Sequence, residues 1–216
     1  NFAMLMAHVL YIHGMGGGSD SRIPSILAEA LKPLGAVVIV RTYDFNPVTG
    51  HEQIKSWVQE LSPALVIGES LGAVHAIRIR EIPHLLISPA VNAPLFLRFL
   101  SFLTWFPGIT FLFDRIYRPR EGDRQHLHFS YANLKHYGSH RKAALSNSTL
   151  NGSKDVFVAF IGRRDHYRKT GVVSIRTWKK YFGDTCSVYD GSHFTEEEHI
   201  QHLILPVLCK MLEINM

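Results

Sequence analysis

The sequence predicts an α/β protein with a mostly parallel, six-stranded sheet and helices on both faces. Three observations point there. Six short runs are apolar at nearly every position, where a half-exposed strand alternates. Helical periodicities lie between them. One long segment, residues 93–154, carries no strand pattern and reads as an insertion above the sheet.

The runs are HVLYIH (8–13), AVVIV (36–40), ALVIG (64–68), HLLIS (84–88), VFVAFI (156–161) and CSVYD (186–190). Strands buried on both faces belong to parallel sheets covered by helices. In HEQIKSWVQEL, Ile54, Trp57, Val58 and Leu61 form a single apolar stripe. Val172, Ile175 and Phe182 repeat it less cleanly. Near the C-terminus, Thr195 and Glu198 have capping-box spacing. Ile200, Leu203, Ile204, Val207, Leu208 and Met211 continue as a stripe, and Pro206 is expected to kink it or start a new turn.

The insertion opens with PLFLRFLSFLTWFPGITFLFDRIY, uncharged from Phe99 to Phe113. It is too short, and too interrupted at Pro107-Gly108, for a membrane span. Its second half is polar. A chain of 216 residues suits one domain, 1–216, with this insertion as a cap or lid.

The net charge is +5. The basic residues fall in short groups, Arg115–Arg118–Arg120–Arg124 and Arg163–Arg164–Arg168–Lys169, with no nucleic-acid motif. They read as solvated surface. Two cysteines without metal spacing, and an N-terminus without a signal-peptide pattern, set a cytoplasmic location as the expectation.

The stretch LVIGESLGAVHAI carries the chemistry. A strand ends, a helix follows, and the turn reads Gly68-Glu69-Ser70-Leu71-Gly72, a G-x-S-x-G. Such a turn holds a serine in a strained conformation with its hydroxyl above the sheet. The flanking glycines come too close to neighbouring backbone for side chains. A plain strand–turn–helix crossing is the competing explanation, so Ser70 needs a base and a group to orient that base.

Of thirteen histidines, His193 lies just past the last strand, in YDGSHF. His13 is expected to anchor the first loop and His75 to pack behind Ser70. His199 and His202 fit a solvated helix face better than a metal site, as do His126 and His128. The acid belongs after the fifth strand, where GRRD offers Asp165. Asp190 sits in the His193 loop, Asp155 precedes its strand, and Asp114 lies in the insertion. An ion pair with the adjacent arginines is the plainer role for Asp165.

The loop YIHGMGGGSDS lacks the Lys-Ser/Thr of a phosphate loop. A dinucleotide G-x-G-x-x-G also fails, because Ser19 or Ser21 takes the third position. A tetrahedral oxyanion needs two preplaced N–H groups. Leu71 offers one, and Met15 the other, with Gly16 as the alternative.

With His13-Gly14, GESLG, GRRD and GSH in place, the chain resembles the α/β-hydrolases. Within them it is similar to the small YqiA-type bacterial esterases, which share the short HG loop, the elbow and a PAV stretch, here Pro89–Val91. It departs from a full-sized member by lacking two initial strands and by its long aromatic insertion. The resemblance implies a serine hydrolase with Ser70, His193 and Asp165 as triad, Leu71 and Met15 as oxyanion hole, and no cofactor or metal. The substrate class is a small-molecule carboxylic ester or thioester, with lactones and small amides open. Phe96, Phe99, Phe102, Trp105, Phe106, Phe111 and Phe113 are expected to line an acyl pocket or form a lid, Phe99, Phe102, Trp105 and Phe106 foremost. Ordinary cap packing, or membrane or partner contact, are alternatives for the same residues. A catalytically silent binding module is the alternative function, and the pattern leaves the oligomeric state open.

Overall fold

Strand and helix alternate along the described residues except in one all-helical segment, residues 93–146. The computed structural model describes residues 6–106, 108–119 and 121–214; Pro107 and Arg120 of the sequence analysis lie outside them. The first half holds β1 (Ala7–Ile12), α1 (Arg22–Leu31), β2 (Ala36–Val40), α2 (Pro47–Leu61), β3 (Leu65–Glu69), α3 (Gly72–Ile77) and β4 (His84–Ile87). The segment that follows holds α4 (Ala93–Leu103), α5 (Ile109–Ile116), α6 (Tyr131–Leu134) and α7 (Tyr137–Ser146). Then come β5 (Phe157–Gly162), α8 (Tyr167–Thr170), α9 (Ile175–Phe182), β6 (Cys186–Tyr189), α10 (Glu197–His199) and α11 (Leu205–Met211).

The sheet runs β2-β1-β3-β4-β5-β6, and all five pairings are parallel. Period-two alternation sorts its side chains into two cores. Leu10, Ile12, Val66, Leu86 and Ala159 face α2, α3, α7 and α9. Val9, Tyr11, Ile67, Leu85 and Phe160 face α1 and the C-terminal helices. This double burial is why the runs read as uniformly apolar. β6 departs from that reading: as an edge strand it leaves Ser187 and Val188 exposed.

The C-terminal helix also departs from expectation. Thr195 does not cap it; Glu196 takes that position, without a side-chain cap bond. The Thr195 hydroxyl is fully buried and bonds the Tyr189 hydroxyl at 2.8 Å. A side chain committed to the core has no reach for the helix amides. Pro206 does start a new turn, in the first turn of α11. A π-helical stretch, Ile200–Ile204, precedes α11, where the chain adjusts to the proline's missing donor.

The strand order reverses direction at β1 and β3, the crevice where parallel sheets place their sites. The loops after β1, β3, β5 and β6 all open on that edge.

Candidate active site

Ser70 stands at the turn between β3 and α3 with φ of +50°. A side chain in this region costs about 1–3 kcal/mol and persists only where the surroundings enforce it. Three backbone bonds do so here. The Ser70 N–H donates to Ile87 O at 2.9 Å, and its carbonyl accepts from Ala73 N–H at 3.2 Å and Ala90 N–H at 3.0 Å. The flanking glycines are required by proximity. A Cβ on Gly68 would lie 2.7 Å from Ala73 Cα, and one on Gly72 would run into the carbonyls of Ile12 and His13.

His193 arrives from the loop after β6. Its Nε2 is 3.0 Å from Ser70 Oγ, and its Nδ1 is 2.7 Å from Asp165 Oδ2. The other oxygen of Asp165 accepts the Tyr167 N–H at 2.8 Å, which holds the carboxylate in one orientation. Both His193 and Asp165 are buried. Two residues that the sequence did not single out position this imidazole. Tyr167 meets it edge-on at 4.6 Å between ring centroids. Ser88, itself at φ +47°, donates its hydroxyl to the His193 carbonyl at 3.2 Å.

The competing acids go elsewhere. Asp190 pairs with Arg164, Asp155 binds the Glu81 N–H and the Asn147 amide, and Asp114 binds His128 and the Phe129 N–H. His199 is 3.2 Å from Glu196, and among the described residues no group of three His, Cys, Asp or Glu is arranged to hold a metal.

The loop after β1 wraps over Ser70. His13 is buried and its Nδ1–H donates to Gly14 O at 2.7 Å, while its ring stacks on Tyr43 at 4.5 Å. Burial lowers its pKa to about 4, so the ring is neutral near pH 7. The Gly16 N–H is committed to Gln125 Oε1 at 3.1 Å. Among the described residues, nothing accepts from the N–H of Met15 or of Leu71. Both residues border the pocket above Ser70.

That pocket measures about 250 Å³. Its walls include Ala90, Phe96, Leu97, Tyr167, Val172 and Phe194. Phe99, Phe102, Trp105 and Phe106 are not among its lining residues and are all exposed, a correction to the expected pocket. The helix periodicity explains it. Leu97 faces inward on α4, whereas Phe99 and Phe102 fall on the opposite side. Glu69 also borders the pocket. Burial raises its pKa, and it accepts the Tyr11 hydroxyl at 2.7 Å.

Solved structures share this architecture. Est1E from Butyrivibrio proteoclasticus superposes with a TM-score of 0.67 at 13% identity, over 99% of this chain and 91% of that one. A monoacylglycerol lipase from Paleococcus ferrophilus gives 0.58 at 16%, over 95% and 91%. The esterase domain of a Rhodothermus marinus protein gives 0.54 at 16%, over 97% and 88%. The chain has the α/β-hydrolase fold. No family model and no curated protein matches it in sequence.

Proposed function

We propose that this protein is a serine hydrolase that cleaves a carboxylic ester or thioester of a small molecule through an acyl-enzyme. The observation that carries the reading is the continuous line Ser70 Oγ, His193 Nε2, His193 Nδ1, Asp165 Oδ2, at 3.0 and 2.7 Å. The esterase and lipase names among its structural neighbours support the same chemistry.

His193 takes the Ser70 proton as Oγ attacks the carbonyl carbon. Asp165 holds the Nδ1–H tautomer and stabilises the imidazolium. The N–H groups of Leu71 and Met15 receive the oxyanion. The His193 proton then passes to the departing alcohol or thiol. Water, deprotonated by the same imidazole, releases the acid and restores Ser70. The apolar pocket along Phe96 and Leu97 takes the acyl group. A polar cleft of about 360 Å³, bordered by Arg22, Glu69 and Arg124, adjoins it at Gly14 and Met15 and takes the leaving group.

Labelling with a fluorophosphonate probe tests the proposal. The wild-type chain should label on Ser70 and Ser70→Ala should not. A folded chain that stays unlabelled and hydrolyses no nitrophenyl ester would instead be a binding module on a hydrolase fold.

A further inference from the structure

The segment between β4 and β5 carries an apolar surface that the described residues leave exposed. α4 packs inward through Pro94, Leu97 and Ser101. Its outer face is just as apolar, with Leu95, Phe96, Phe99 and Phe102 exposed. α5 reads ITFLFDRI and buries none of its residues. Phe99 and Phe111 are each 69% exposed, and Trp105 between the helices is 71% exposed. A contiguous exposed apolar patch of this kind marks an interaction site.

Charge indicates what covers it. From Ala93 to Pro119 the chain has Arg98, Arg115 and Arg118, all exposed, and one carboxylate, Asp114. Asp114 is turned onto His128 Nδ1 and the Phe129 N–H, at 2.6 and 2.9 Å. The rim is therefore cationic. Beside α5 lies a groove of about 570 Å³, bordered by Phe111, Asp114, Arg115, Arg118 and His126, with room for a phosphate headgroup. Exposed aromatics flanked by Arg115 and Arg118 are the composition of a surface that lies on anionic lipid. A second copy of this chain would bring like charges together, which costs affinity.

The patch is also continuous with the pocket over Ser70. Phe96 belongs to both, and Met15 and Phe194, at the mouth, are exposed apolar residues too. An ester leaving a lipid layer would reach Ser70 along apolar side chains.

We propose that the α4–α5 face docks on an anionic lipid surface and that the enzyme draws its ester from that surface. The second half rests on the hydrolase reading; the docking does not.

The test uses the full chain carrying Ser70→Ala, so that the vesicles stay intact. It is sedimented with phosphatidylcholine vesicles and with vesicles holding about 30% phosphatidylglycerol. Binding should favour the anionic vesicles by at least about tenfold and weaken at about 0.5 M NaCl. Trp emission should shift to the blue, and Trp105→Phe should remove that shift but not the binding. Arg115→Gln with Arg118→Gln should cost about fivefold per arginine on anionic vesicles only. Leu112→Ser with Ile116→Ser should weaken binding to both vesicles, and this doubly substituted wild type should hydrolyse soluble nitrophenyl butyrate at the unsubstituted rate. No sedimentation with either vesicle at low salt overturns the proposal. So does binding unchanged in both double variants, or a stable dimer that Leu112→Ser with Ile116→Ser dissolves. Vesicle binding by a chain whose wild type hydrolyses nothing sinks the hydrolase reading and leaves the docking standing.

Discussion

Gln125 reaches 109 residues back along the chain to accept the Gly16 N–H at 3.1 Å. Its own backbone N–H donates to Gly17 O at 2.7 Å, and its amide donates to Tyr43 O at 3.1 Å. Next to it, Gly18 and Arg124 form an antiparallel bridge. The strandless segment thus clamps the loop that presents the Met15 N–H. With the Gly16 N–H committed to Gln125, the proposed oxyanion role falls to the Met15 N–H. Gln125→Leu should lower kcat for a nitrophenyl ester by about tenfold with little change in KM, because a mobile donor is lost mainly in the transition state. An unchanged kcat would detach the clamp from the chemistry.

Asp165→Asn should preserve folding and substrate binding while lowering kcat by about 10⁴-fold, the scale on which an imidazole held in the wrong tautomer fails in serine hydrolases. Steady-state kinetics, with a circular-dichroism melt for integrity, checks this. Retention of more than a tenth of the wild-type kcat would remove Asp165 from the mechanism.

Gly68→Ala places a methyl 2.7 Å from both Ala73 Cα and Ala76 Cβ of α3. Neither neighbour is a flexible side-chain end. The expected loss is about 1–3 kcal/mol of stability, read by urea denaturation, together with activity. Gly152→Ala makes the comparison informative. Its Cβ meets nothing within 4 Å, although φ is +78°, so only backbone strain remains and activity should be kept.

Phe96→Ala should raise KM for octanoyl esters by about tenfold, or about 1.4 kcal/mol, and leave acetyl esters nearly unchanged. A series of nitrophenyl esters of increasing chain length gives the result. Equal effects at every length would place the acyl chain elsewhere.

Five histidines are buried as neutral rings. Burial lowers His13, His51 and His84 to about 4, and burial with nearby cationic groups holds His75 and His140 well below the usual range. Each folded-state pKa lies below its unfolded value, so between about pH 6.5 and 4 the unfolded chain binds protons that the native chain refuses. Stability is therefore complete above that window and falls as the pH drops through it, by at most about 1.4 kcal/mol per pH unit for each histidine. Urea midpoints measured from pH 8 to pH 4 should show this slope, and a flat profile would mean that the rings are solvated.

The six strands and the placement of Ser70, Asp165 and His193 were legible because each leaves a local trace. A strand covered on both faces must be apolar throughout, a serine in a strained turn needs small neighbours, and parallel strands deliver their following loops to one edge. What depends on side-chain direction or on distant partners was not legible. Thr195 has capping spacing, but the Tyr189 hydroxyl takes it into the core. The apolar residues of α4 all look alike in sequence, and only the rotation of the helix on the body turns Leu97 inward and Phe99 outward. Met15 and Gly16 are equivalent on paper until Gln125 occupies one of them. Pattern along the chain determined the sheet and the reactive set, since both rest on periodicity and adjacency. Tertiary packing alone decided the pocket walls, the commitment of the Gly16 N–H to Gln125 and the exposed aromatic face, since burial and hydrogen-bond pairing are settled between residues far apart in sequence.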